Sequence, residues 1–159
     1  MSSYDGQTQT IACGIHAVHI ECIDSQGDEV NYAIAIDGAS VASFTILRYY
    51  RLEVSCKDNE VALWGGSRIC FVDMASRQLK RFDRDDEVHA VYPFRTLWCI
   101  RGEISVSLFD SLAGLDRSRV DYDEVILESR LEGTYLHLRD LRGRTFTVSL
   151  ADNLRTSLQ

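Results

Sequence analysis

The sequence predicts an all-β fold, an antiparallel meander of repeated units, with a two-sheet β-sandwich as the alternative. Three observations carry this. Most apolar segments alternate with a period of two, the pattern of a strand with one buried face. Turn signals recur about every ten residues, the spacing of short strands joined by tight connections. The chain also echoes itself. A Val is followed ten residues later by an aromatic three times: Val54 to Trp64, Val88 to Trp98 and Val125 to Tyr135. Each Val has an acidic context: Leu52-Glu53-Val54, Asp86-Glu87-Val88 and Asp123-Glu124-Val125. A second marker returns after 37 residues, Phe71-Val72-Asp73 against Leu108-Phe109-Asp110. Periods of about 20 to 50 residues mark stacked supersecondary units.

Residues 1–50 read as an N-terminal β-hairpin region. Ile34-Ala35-Ile36-Asp37-Gly38 ends in an Asp-Gly pair, which favours a tight hairpin because Gly accepts positive φ. Ser40 to Leu47 reads two ways. Ser40 as a cap with Val41, Phe44 and Leu47 on one stripe would make a helix. The β-branched content and the preceding turn favour a strand. Residues 51–150 read as about three degenerate β repeats. Val61 to Trp64, Leu97 to Ile100 and Tyr135 to Leu138 are apolar on both faces, as in a strand covered on both sides. Ser105 to Leu108 and Thr145 to Leu150 alternate and suit a sheet with one wet face. Residues 151–159 read as a polar tail. With one proline, Pro93, and no Gly/Ser linker, the whole of 1–159 reads as a single domain.

A unit with one doubly covered strand, one half-wet strand and a Gly-containing turn (Gly65-Gly66, Gly102) cannot bury its inner face alone. Stacking on the next copy solves that. In this respect residues 50 to 150 resemble the blade-type β-repeat proteins, the broad β-propeller class. The resemblance rests on the period, on the aromatic at the start of each inner strand and on an Asp (Asp73, Asp110) ending the next. The Gly-His and Trp-Asp pairs of the WD type are absent. Closed propellers take about four to eight four-stranded blades. About three units therefore imply a partial or open array, whose exposed edges call for a partner or a second copy.

The formal charge of −7 argues against a nucleic-acid binder, which needs concentrated Lys and Arg. It suits a basic protein partner. No apolar run reaches the length of a membrane span, and Met1 to Gln7 has no signal-peptide pattern, so the expected location is cytoplasmic. The five Cys, odd in number and without CxxC, do not look like a secreted disulfide framework, and most sit in apolar runs and read as small buried hydrophobes. Phosphate-cradling loops and the Gly-x-Ser-x-Gly elbow are absent, so neither a cofactor nor catalysis is expected. The metal candidate is His16-Ala17-Val18-His19-Ile20-Glu21-Cys22. All four polar residues are possible zinc ligands. On a strand, however, His16 and Cys22 face one side, His19 and Glu21 the other. The remaining candidate surface is an acidic rim: Asp85, Asp86 and Glu87 before one inner strand, Asp123 and Glu124 before the next, with Trp98 and Tyr135 beside them as aromatic anchors or as core. These residues point to a non-catalytic protein-binding domain, of the type of an immunity protein covering a basic toxin. The alternatives are a self-assembling structural subunit, down to a homodimer, and a metal-dependent enzyme built on His16 to Cys22.

Overall fold

The computed structural model describes residues 8–159, and among them sixteen strands form four antiparallel sheets without a helix. Sheet 1 holds β1 (Thr8–Cys13), β2 (His16–Gln26), β3 (Glu29–Ile36) and β4 (Ala39–Leu47). Sheet 2 holds β5 (Glu53–Cys56), β6 (Glu60–Gly65), β7 (Arg68–Asp73) and β8 (Leu79–Asp83). Sheet 3 holds β9 (Val88–Phe94), β10 (Leu97–Gly102), β11 (Ser105–Asp110) and β12 (Leu115–Asp121). Sheet 4 holds β13 (Ile126–Glu132), β14 (Tyr135–Asp140), β15 (Thr145–Ser149) and β16 (Arg155–Leu158). Each sheet is a meander in chain order, the layout of blades and not of a two-sheet sandwich.

The two terminal segments both carry strands. The N-terminal hairpin region makes a four-stranded sheet, with the segment from Ser40 as strand β4. Its hairpin is set by Asp37 and Gly38, whose φ values of 50° and 80° are both positive, as a tight β turn of that hand requires. The expected polar tail contributes β16, which pairs with β15 from Ser149↔Arg155 to Phe146↔Leu158.

The repeat is real, but its aromatics are not equivalent. The second strand of sheets 2, 3 and 4 begins at Glu60, Leu97 and Tyr135. Trp64 is the fifth residue of β6, Trp98 the second of β10 and Tyr135 the first of β14. The cause is the length of the first strand, which the turn only partly offsets. β5 is four residues long and the turn after it takes Lys57-Asp58-Asn59, whereas β9 is seven residues long and turns on Arg95-Thr96. The Val of each triplet does mark the opening of the first strand.

The described residues pack as two compact units that divide between Asp83 and Arg84. In the first unit, period-two side chains of sheet 1 (Val18, Ile20, Ile34, Ile36, Phe44, Ile46) pack with Val61, Leu63, Cys70 and Val72 of sheet 2. Full burial of such a side chain is worth about 1.5–3 kcal/mol. The Cys13–Cys56 disulfide joins the end of β1 to the end of β5, a pairing that the reading of most cysteines as small buried hydrophobes did not anticipate. Arg68 Nη1 donates to Thr45 O at 3.2 Å, and Arg81 donates to Ser43 O. These arginines cover carbonyls of the edge strand β4, which would otherwise offer a template for stray pairing.

In the second unit, Cys99, Val106 and Leu108 of sheet 3 pack with Ile126, Leu136, Leu138 and Val148 of sheet 4. β11 was expected to have a wet face but is buried on both. Its hydroxyls are satisfied internally. Ser105 Oγ donates to Asp86 Oδ2 at 2.6 Å, and Ser107 Oγ accepts from Arg84 Nη2 at 3.0 Å. Arg101, also buried, donates through Nε to Ser129 Oγ at 3.1 Å and through Nη1 to Ile126 O at 3.2 Å.

The Asp residues that close the third strands are turn caps. Asp73 Oδ1 accepts from the Ser76 amide at 2.8 Å. Asp110 Oδ1 accepts from the Ala113 and Leu112 amides, and its Oδ2 from Arg117. The Ser76 amide holds the Asp73 carboxyl below the usual carboxylate range, and the Ala113 amide followed by Arg117 does so for Asp110. A carboxyl whose folded pKa is depressed stabilises the fold above its unfolded value of about 3.9. That stability is lost as pH falls through the folded value. Urea midpoints should therefore be flat from about pH 7 to 5 and drop below about pH 4. Asp73→Asn with Asp110→Asn should make the acid limb shallower. A midpoint as high at pH 3 as at pH 7 would contradict this.

Candidate protein-binding surface

The second unit gathers acidic groups at one end of its sheets. β9 follows Arg84-Asp85-Asp86-Glu87, and β13 follows Tyr122-Asp123-Glu124-Val125. The β10–β11 turn (Glu103, Ile104) and the β14–β15 turn (Leu141 to Arg144) lie at the same end, because Gly102 pairs with Val88 and Asp140 with Ile126. Backbone bonds tie these segments together: Glu103 N to Glu87 O at 2.9 Å, Ile126 N to Glu103 O at 2.7 Å, Leu141 N to Val125 O at 2.8 Å.

The rim residues have different roles. Asp85 Oδ1 accepts from Arg119 Nη1 at 2.6 Å, and this bond holds its carboxyl below the usual range. Arg119 also holds Asp121 at 3.0 Å. Asp86 is a turn cap. Its Oδ2 takes the Ser105 hydroxyl and, at 3.2 Å, the Ile104 amide. Asp123 takes Arg144 Nη2 at 2.9 Å, which holds its carboxyl low, and Arg144 also serves Asp140 at 2.7 Å. Glu124 pairs with Arg142 at 2.8 Å. Glu87 and Glu103 have no ion pair among the described residues. Eight carboxylates thus meet three guanidinium groups here. Two more guanidinium groups on these segments are turned elsewhere, that of Arg84 to Asp116 and Ser107 and that of Arg101 to Ser129 and Ile126. Local pairing removes part of the field and leaves an acidic excess.

The aromatics do not share this surface. Trp98 pairs with Pro93 and Tyr135 with Glu132, next to the turns at the opposite end. At about 3.4 Å per residue, four residues of β10 separate Trp98 from Gly102 by roughly 14 Å. Trp98 is fully buried and belongs to the core. Tyr135 is 51% exposed, which corrects its reading as a core aromatic but leaves it away from the acids.

The metal candidate does not assemble. His16 Nδ1 bonds Asp37 Oδ2 at 2.6 Å, and His19 Nδ1 bonds Thr10 Oγ1 at 2.9 Å. Cys22 packs against the core of the first unit, while Glu21 is exposed on the face shared with His19. No three His, Cys, Asp or Glu side chains converge as a metal site among the described residues. Cys70 and Cys99 are buried, and burial pushes both thiols up to about 12, far from a nucleophilic thiolate.

Sequence reasoning missed Glu103, Ile104, Leu127 and Leu141 at the acidic end. Aliphatic residues inside turn sequences, Gly102-Glu103-Ile104 and Asp140-Leu141-Arg142-Gly143, were the available signal.

No family model and no curated protein matches the sequence. Solved structures do match the fold. A chain of the Mitotic Checkpoint Complex superposes with a TM-score of 0.61 at 11% identity, covering 89% of this chain and 48% of that one. The AfRom2 CNH domain gives 0.57 at 3% identity, covering 99% and 56%. HIRA(644-1017) gives 0.56 at 9% identity, covering 97% and 54%. These neighbours are β-propeller domains of the WD40 and CNH types, and the four sheets here are a propeller-like array of blades. The chain spans about half the length of the structures it matches.

Proposed function

We propose that the chain is a non-catalytic protein-binding module that docks a basic protein on the acidic end of its second unit. The supporting observation is the excess of carboxylates over guanidinium groups on bonded neighbouring turns of sheets 3 and 4. Such an excess steers a basic surface into register and disfavours acidic partners. Within this class the surface suits an immunity-type inhibitor, which works by covering a basic active site and needs no chemistry of its own.

A basic ribonuclease is the direct probe. Binding at about 50 mM salt should weaken steeply by about 300 mM, because exposed charges are screened beyond roughly a Debye length. The triple variant Glu87→Gln, Asp123→Asn, Glu124→Gln should bind about tenfold more weakly at low salt, a loss of about 1.4 kcal/mol. Unchanged binding of that variant would remove the rim from the reading.

A further inference from the structure

β9 and β13 carry the same irregularity at the same place. In the β9–β10 ladder Val88 pairs with Gly102 and Ala90 with Arg101, which leaves His89 as an extra residue. In the β13–β14 ladder Ile126 pairs with Asp140 and Glu128 with Arg139, which leaves Leu127 extra. A β-bulge re-aims the side chain of its extra residue. Val88 and Ile126 accordingly stay in the core, while His89 is exposed and Leu127 is 45% exposed. The next turns add two more aliphatics: Ile104 at 40% and Leu141 at 60% exposure.

These residues share one surface. Tyr122 N donates to Ile104 O at 2.7 Å, Ile126 N to Glu103 O at 2.7 Å, and Leu141 N to Val125 O at 2.8 Å. The β10–β11 turn, the 122–127 segment and the β14–β15 turn are therefore bonded neighbours. Exposed aliphatics scattered singly are ordinary. Three on adjoining segments, two turns and one strand bulge, at the sheet end with excess carboxylates, make a patch with a sign.

We propose that Ile104, Leu127 and Leu141 form an aliphatic ridge that seats an apolar side chain of a basic, extended segment of the partner. Glu87 and Glu103 take the flanking Lys or Arg residues. The inference rests on the docking surface proposed above and names the chemistry of what docks. Charge complementarity picks the occupant. Glu87 and Glu103 are free of ion pairs among the described residues, so accepting a cation there breaks no existing bridge. Charges set the encounter, and a desolvated apolar anchor at the centre sets the residence time.

Two fluorescent lysine-rich peptides, identical except for a central Leu in one and Ser in the other, test this by anisotropy. The Leu peptide should bind about tenfold more tightly, as burial of one such side chain allows. Leu127→Ser with Leu141→Ser should erase the difference and leave the Ser peptide's affinity unchanged; both positions are exposed enough to keep the fold, checked by the thermal midpoint. Glu87→Gln with Glu103→Gln should weaken both peptides. Equal affinity of the two peptides for the unaltered protein overturns the ridge and leaves the acidic docking surface standing. No binding of either peptide at low salt overturns both.

Discussion

Replacing Cys13 and Cys56 together with serine is expected to lower the unfolding free energy by about 4 kcal/mol. The bond closes a loop across a sequence separation of 43 residues. In the chain-entropy account, a loop of that size restricts the unfolded chain by about this amount, between the values for short and for hundred-residue loops. The bond also has a local role. It ties the last residue of β1 to the last residue of β5, so sheets 1 and 2 of the first unit are clamped where their first strands end. Dithiothreitol should lower the urea midpoint of the unaltered protein and leave that of the double variant where it was. Thiol titration after denaturation without reductant should find the three free cysteines, Cys22, Cys70 and Cys99, and all five after reduction. Five thiols before reduction, or a midpoint indifferent to reductant, would sink the prediction. Disulfides are rare in the cytosol. Alkylating thiols at the moment of cell lysis would show whether the bond is closed in the compartment the protein occupies.

The pairing illustrates what a sequence conceals. Cys13 and Cys56 sit in different repeats, and nothing local marks them as partners; only the stacking of sheet 1 on sheet 2 brings them together. The strand class was legible because it is written in nearest-neighbour patterns. The alternation of Thr145 to Leu150, the run Val61 to Trp64 and the Asp37-Gly38 turn each decide their own structure. The aromatic echo misled because the spacing counts loop residues together with strand residues. A first strand of only four residues in sheet 2, against seven in sheet 3, was enough to make Trp64 and Trp98 equally spaced from their valines and unequal in the strand. The acidic rim was half legible. The sequence located Asp85 to Glu87 and Asp123 to Glu124 before first strands, and the structure places both segments at one end of adjoining sheets. It could not reveal that arginines from β12 and from the β14–β15 turn occupy several of these carboxylates, since pairs such as Asp85–Arg119 lie 34 residues apart.

Gly102→Ala should destabilise the second unit by about 2–4 kcal/mol, and Asp86 is the reason. A Cβ on Gly102 would stand 2.0 Å from Asp86 Oδ2, 2.7 Å from its Cγ and 2.8 Å from Ser105 Oγ. No rotation of the methyl avoids all three, so the Asp86 carboxylate must leave. Its departure strips the acceptor from the Ser105 hydroxyl, on a residue 2% exposed, and from the Ile104 amide. An unsatisfied buried donor costs about 1–3 kcal/mol, in addition to the overpacking. Asp86→Ala alone should cost about 1–3 kcal/mol for the same lost acceptor. The double variant should lose less than the sum of the two, because without the carboxylate the two closest clashes are gone and only the Ser105 hydroxyl has to turn; a coupling of at least about 1 kcal/mol in a denaturation cycle is the expected sign of contact. Strict additivity would show that Asp86 does not hold this turn. Asp86 is therefore a poor probe of the acidic end. Asp86 looks from the sequence like one more rim charge, yet removing it loosens the turn that carries Glu103 and Ile104. A binding loss in an Asp86 variant would mix docking with folding. Glu87, Asp123 and Glu124 report on the surface charge without that turn at stake.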